Sequence, residues 1–170
     1  VAGRHVFFSF HYGADVWRAS IVRNSGVVDA TARAGFDDDS LWESVKKKGD
    51  AEIKRAINAG LDGTTVTAVL IGAKTATRPW VEYEIEQSIA RNNGILGIYI
   101  HELKVPHQPR STRGPVPRLL AQGNYKVYIW NKDKFRLEVE RAAIDAGKPC
   151  LAHGQKSCFS CKASIFLSVS

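Results

Sequence analysis

The sequence predicts an α/β fold built on a parallel sheet, and three features predict it. Almost continuous apolar runs at His5-Val6-Phe7-Phe8-Ser9-Phe10, Thr67-Ala68-Val69-Leu70-Ile71 and Ile95-Leu96-Gly97-Ile98-Tyr99-Ile100 have the character of strands covered on both faces. Segments of about ten to fifteen residues with helical spacing alternate with them. No stretch repeats another, so the strand–helix alternation itself is the organising pattern.

Taken in order, the first strand ends near Phe10, and a helix is expected from Asp15 as N-cap to about Gly26, with Trp17, Ile21 and Val22 among its apolar positions. Residues 27–49 hold a short candidate strand at Val27-Val28, an acidic turn at Asp37-Asp38-Asp39, the segment Ser40-Leu41-Trp42-Glu43 and a solvated run at Lys46-Lys47-Lys48. From Asp50 to Gly60 the spacing of Ile53, Ala56 and Ile57 predicts a second helix, capped by Gly60. A strand over 65–71 follows, then a helix to about Asn92, and the turn Asn93-Gly94 leads into the next buried strand. Four prolines and three arginines between 105 and 118 predict a loop. Tyr125 to Trp130 reads as an edge strand, and Lys134 to Ala146 as a closing helix ended by Gly147 and Pro149. The expected organisation is one domain over 1–149 and a Cys/Ser-rich tail over 150–170.

Composition is ordinary for a globular protein, with 44% hydrophobic and 24% charged residues. No apolar run approaches the ~20 residues that cross a bilayer. Arg4-His5 interrupts the start and no signal-peptide core follows, so no membrane contact and a cytoplasmic setting are expected. The net charge of +7 arises entirely after residue 100, where 12 Lys/Arg face 5 Asp/Glu. Those cations are scattered singly and lack the aromatic interleaving of a single-strand groove, which argues for a solvated surface and against nucleic acid. Cys150, His153, Cys158 and Cys161 are four candidate zinc ligands. Only four residues separate the two pairs, well short of finger or ribbon spacing, so reduced thiols are the expectation.

The run Trp80-Val81-Glu82-Tyr83-Glu84-Ile85 singles out one carboxylate. Thr77 is a candidate N-cap and Pro79 suits the first turn. Val81, Ile85, Ser88 and Ile89 recur at helical spacing as the buried stripe, while Glu82 and Glu86 share a solvated face with Arg78. Residues two apart on a helix diverge by about 200°, so Glu84 points away from those two, beside Trp80 at the margin of the stripe.

In open parallel sheets, ligands bind beyond the carboxyl ends of the strands. That rule brings Ser9-Phe10-His11-Tyr12 to the start of the Glu84 helix, with Trp42 and Asp39 closing one side if their loop folds over. Phe7 or Phe10, Tyr12, Trp42 and Trp80 could then stack a flat heterocycle, with polar groups for ribose hydroxyls. No glycine fingerprint for a phosphate cradle is present. Each residue also has a plain structural reading. Glu84 could pair with a nearby cation, Phe7, Phe10 and Trp80 could be core, and His11 and Tyr12 could be loop surface. Ser9 reads as a hydrogen-bonding strand end rather than a nucleophile, and Asn24 and Asp39 as caps or turn residues.

Val6-Phe7-Phe8-Ser9-Phe10 resembles the first-strand box of Toll/interleukin-1 receptor (TIR) domains, and Trp80-Val81-x-x-Glu84-Ile85 resembles the helix motif that carries the catalytic glutamate of their NAD-cleaving members. Phe7 to Tyr12, Val22-Arg23-Asn24, Ser40-Leu41-Trp42-Glu43 and Val69-Leu70-Ile71-Gly72 resemble the TIR-like proteins of bacterial Thoeris anti-phage defence, the ThsB type, over about residues 4–104. The resemblance implies a flavodoxin-like, three-layer fold. It implies cleavage of the nicotinamide N-glycosidic bond of NAD, taken as substrate without any further cofactor. The product would be a cyclic or modified ADP-ribose that signals to a downstream effector. By motif position Glu84 would be the catalytic carboxylate and Phe7 the aromatic near the nicotinamide; His11 stands where many TIR domains carry Arg or Lys. The same fold also serves as a catalytically silent interaction module, the alternative from another class, and a homo-oligomer fits either role.

Overall fold

The computed structural model describes residues 4–26, 47–106 and 109–149, together with the backbone of 33–34. Strand β1 (Val6–Phe10) leads into helix α1 (Tyr12–Arg23), followed by the two-residue strand β2 (Arg33–Ala34). Helix α2 (Asp50–Leu61) precedes strand β3 (Val66–Ile71), and helix α3 (Pro79–Ala90) precedes strand β4 (Gly94–Tyr99). The short helix α4 (Arg118–Gln122), strand β5 (Val127–Ile129) and helix α5 (Lys132–Asp145) complete the order. The described strands form one sheet in the order β2-β1-β3-β4-β5, parallel throughout, which is the flavodoxin-like and TIR-like α/β architecture.

Every residue of β1, β3 and β4 is buried, as their unbroken apolar runs require of strands with helices on both faces. Successive residues of β1 face opposite sides. Phe8 meets Phe135 of α5 at 6.2 Å between ring centroids, whereas Ser9 reaches Glu84 of α3. Helices α3 and α5 therefore cover opposite faces, and β1 lies between them. β3 continues the α3 face through Thr67, whose hydroxyl donates to Ser88 Oγ at 2.8 Å. Removing Phe7 or Phe8 from water contributes about 1.5–3 kcal/mol each, and both are essentially inaccessible.

Several boundaries differ from the sequence reading. Helix α1 begins at Tyr12, with His11 as N-cap accepting from Ala14 N at 3.0 Å, so Asp15 is not the cap. A histidine ring nitrogen takes the role that Asp, Asn, Ser or Thr usually fills. Trp17 and Ile21 are 61% and 39% exposed, and the buried side of α1 is instead Tyr12, Asp15, Arg18, Ala19 and Val22. Helix α3 is entered through Arg78 without a side-chain cap, and Thr77 belongs to a preceding single turn over Thr75–Thr77. Ile89 is exposed, and Glu84 takes a buried place with Val81, Ile85 and Ser88. Helix α2 runs one residue past Gly60 and is capped at Asp62. The expected strand at Val27-Val28 lies outside the described residues, as does the tail from Cys150. Among the described residues no helix is long and apolar enough to cross a membrane.

Candidate active site

The carboxyl ends of β1 and β3 meet the first turns of α1 and α3, and that junction positions the predicted carboxylate. Pro79 at the first position of α3 has no N–H to leave unsatisfied, so the helix starts sharply after β3. The crossing loop is tied down by Thr75, whose hydroxyl accepts from Gly72 N at 2.9 Å and donates to Leu70 O at 3.2 Å. One and a half turns into α3, Glu84 turns inward toward the sheet, 7% exposed.

Ser9, fully buried on β1, donates its hydroxyl to Glu84 Oε2 at 2.5 Å. This bond between strand and helix fixes the carboxyl against the sheet. Burial pushes the Glu84 carboxyl up to about 8, and the Ser9 hydrogen bond opposes that rise without reversing it. The helix dipole would favour the charged form in these first turns, but removal from water outweighs it, so the resting group is mostly protonated at pH 7.

Phe7 lies beneath this pair as core, on the same face of β1 as Ser9. Phe10 faces the other side and stacks on Tyr12, with ring centroids 5.7 Å apart. Both are 9% exposed at the end of the strand. Trp80, half-buried, packs edge-on against Tyr83 at 6.1 Å, one turn before Glu84. His11 Nδ1 accepts the capping bond, which leaves Nε2 buried without a hydrogen-bond partner. Burial, then Arg78, and more weakly Lys74 hold its imidazole below the ordinary value. Ser9, His11, Glu84, Trp80 and the two cations of the β3–α3 loop thus gather at one rim. Asn24 does not join them. It closes the far end of α1, about 20 Å along the helix from His11, where its N–H donates to Ser20 O at 2.9 Å. Asp39 and Trp42 lie outside the described residues.

The sequence reading gave Asp15 only the role of a helix cap. It is 1% exposed, and its carboxylate lies directly against Gly72, so closely that a Cβ at residue 72 would overlap it. Burial raises its pKa and Arg18, at 3.7 Å, opposes this. Arg18 in turn donates to Pro109 O at 2.7 Å, and Gly114 packs on the carbonyl of Gly72. The Pro/Arg loop is therefore anchored over the carboxyl end of β3. The signal was available: Asp15 stands four residues before Ala19 and seven before Val22, on one helical stripe. Among the described residues, no group of three or more His, Cys, Asp or Glu is placed to hold a metal.

Comparison with known proteins gives two findings. The family model described as "Thoeris protein ThsB, TIR-like domain" matches residues 7–105. A protein of Bacillus cereus (strain MSX-D12) named "Putative cyclic ADP-D-ribose synthase ThsB1" is 46% identical over 116 residues, 67% of this chain and 60% of that protein. The chain thus spans about 60% of the length of the curated relative it matches.

Proposed function

This chain belongs to the TIR-like domain family of the Thoeris protein ThsB, and from that premise we propose that it cleaves the nicotinamide N-glycosidic bond of NAD and closes the ADP-ribosyl group into a cyclic product. The observation that carries the reading is the buried Ser9–Glu84 pair at the carboxyl rim of the sheet.

As the bond between ribose C1′ and the pyridinium nitrogen breaks, its electron pair returns to the ring and nicotinamide leaves neutral. No acid is needed for that departure, so one carboxylate suffices. Positive charge develops on the ribose, and an ionised Glu84 beside it stabilises that charge in a site of low dielectric. Ring closure onto a nitrogen of the adenine releases one proton, so NAD gives nicotinamide, cyclic ADP-ribose and H⁺. The high pKa of Glu84 suits this sequence, because a cationic substrate draws the carboxyl into its charged form when it is needed. Ser9 orients the carboxyl. Trp80 supplies aromatic surface, with Phe10 and Tyr12 backing the rim from the other face, while Lys74 and Arg78 supply positive field for the pyrophosphate and neutral His11 presents Nε2 at the same rim. The relative's name supports the cyclic product, which would act as a signal to a downstream effector.

Protein purified from phage-infected cells and given NAD should release nicotinamide, followed by chromatography, and Glu84→Gln should lower the rate by about 10²–10³-fold. Full turnover by Glu84→Gln would refute the assignment. One observation favours the silent interaction module instead: Trp17 and Ile21, one turn apart on α1, expose apolar surface. That reading makes Glu84 dispensable and Trp17 essential in cells.

A further inference from the structure

A cavity of about 340 Å³ opens at the opposite end of the sheet from Glu84, between the amino ends of β4 and β5 and helix α5. That volume falls within the range of small-molecule sites. Glu138 of α5 lines it, 5% exposed, with Oε2 lacking any hydrogen-bond partner. A buried carboxyl oxygen without a donor is costly, and native proteins rarely leave one so without a use. Asp145, two turns further along α5 on the same side, lines the mouth, and the rings of Tyr125 and Tyr128 form the wall.

Cations on neighbouring turns face Glu138. Lys134 and Arg141 on α5 favour its ionised form, yet burial outweighs both and holds the group up at about 7. Arg141 is engaged by the Tyr128 hydroxyl, and Lys126, exposed before β5, lies at the rim. The resident cations therefore leave Oε2 unserved.

We propose that this cavity binds a small organic cation, an ammonium or amidinium group on a compact apolar body, with Glu138 as its charge partner and the two tyrosine rings as its walls. A charged donor entering the cavity would pair with the Glu138 carboxyl, and the rings would meet both the apolar body and the cation. The site is independent of the Glu84 chemistry.

Calorimetric titration of the full chain with benzamidine, and with benzamide as its uncharged isostere, tests this. Benzamidine should bind saturably at about millimolar concentration or below, with benzamide at least about tenfold weaker. Glu138→Gln should weaken benzamidine by about tenfold or more. Ala146→Leu, which fills the mouth without touching the carboxyl, should weaken it as much and serves where Glu138→Gln folds poorly. Glu84→Gln should bind like the wild type, which separates this result from the NAD reading. Equal affinity for the two probes, no saturation by about 10 mM, or undiminished binding by Ala146→Leu would overturn the proposal.

Discussion

Replacing Glu84 with Gln should stabilise the folded protein, and the size of the gain follows from where the carboxyl sits. Gln keeps the shape and an oxygen that accepts from Ser9, so the change removes little besides the ionisable group. The folded carboxyl titrates at about 8 against an ordinary 4.5. Between those values the native state holds a proton that the unfolded chain has lost, so wild-type stability falls as pH rises. The loss begins near pH 4.5 and is complete above about 8. At about 1.4 kcal/mol per pH unit, it amounts to about 3 kcal/mol at pH 7 and about 5 kcal/mol at pH 9. Urea unfolding of wild type and Glu84→Gln at pH 4.5, 7 and 9 measures the difference directly, and subtraction cancels Asp15 and Glu138, which titrate in both proteins. Near-equal stability at pH 4.5 and a gap that widens with pH are expected. A gap independent of pH would refute the burial argument for Glu84.

Three further outcomes follow from the same geometry. The pH profile of kcat/KM should rise through a limb near pH 8, the free-enzyme value of Glu84, and level off above it; a limb near 4.5 would contradict the burial. Ser9→Ala removes the bond that lowers the Glu84 pKa, so the limb should move upward and the rate at pH 7 fall by about three- to tenfold, while a fall without a shifted limb would assign Ser9 a different part. Gly72→Ala drives a Cβ into the Asp15 carboxylate and should lower stability by about 1–3 kcal/mol, read as a drop in Tm; an unchanged Tm would show that α1 can move away from β3.

The sheet was legible because β1, β3 and β4 are buried on both faces, and burial of that kind leaves unbroken apolar runs in the sequence. Glu84 was legible for a geometric reason, since a residue two positions from Glu82 and Glu86 turns away from their solvated side. Its proton was not legible. A place in the first turns of a helix favours an ionised group, and only the depth of burial reverses that. Helix α1 misled for two linked reasons. Asp is a favoured cap and His is not, so Asp15 drew the assignment away from His11. Trp17 and Ile21 look like core by type, whereas the core side carries Asp15 and Arg18, whose burial depends on Gly72 and Pro109 far along the chain. Such pairings leave no local pattern. Glu138 carried a trace, since Phe135, Val139 and Ala142 place it within their apolar stripe.

The most direct measurement is mass spectrometry of small molecules from phage-infected cells that carry either the wild-type chain or Glu84→Gln. A cyclic ADP-ribose that accumulates with the wild type, accompanied by loss of NAD, and is absent with Glu84→Gln is the predicted result. The same product at equal level from the Glu84→Gln cells would contradict the account.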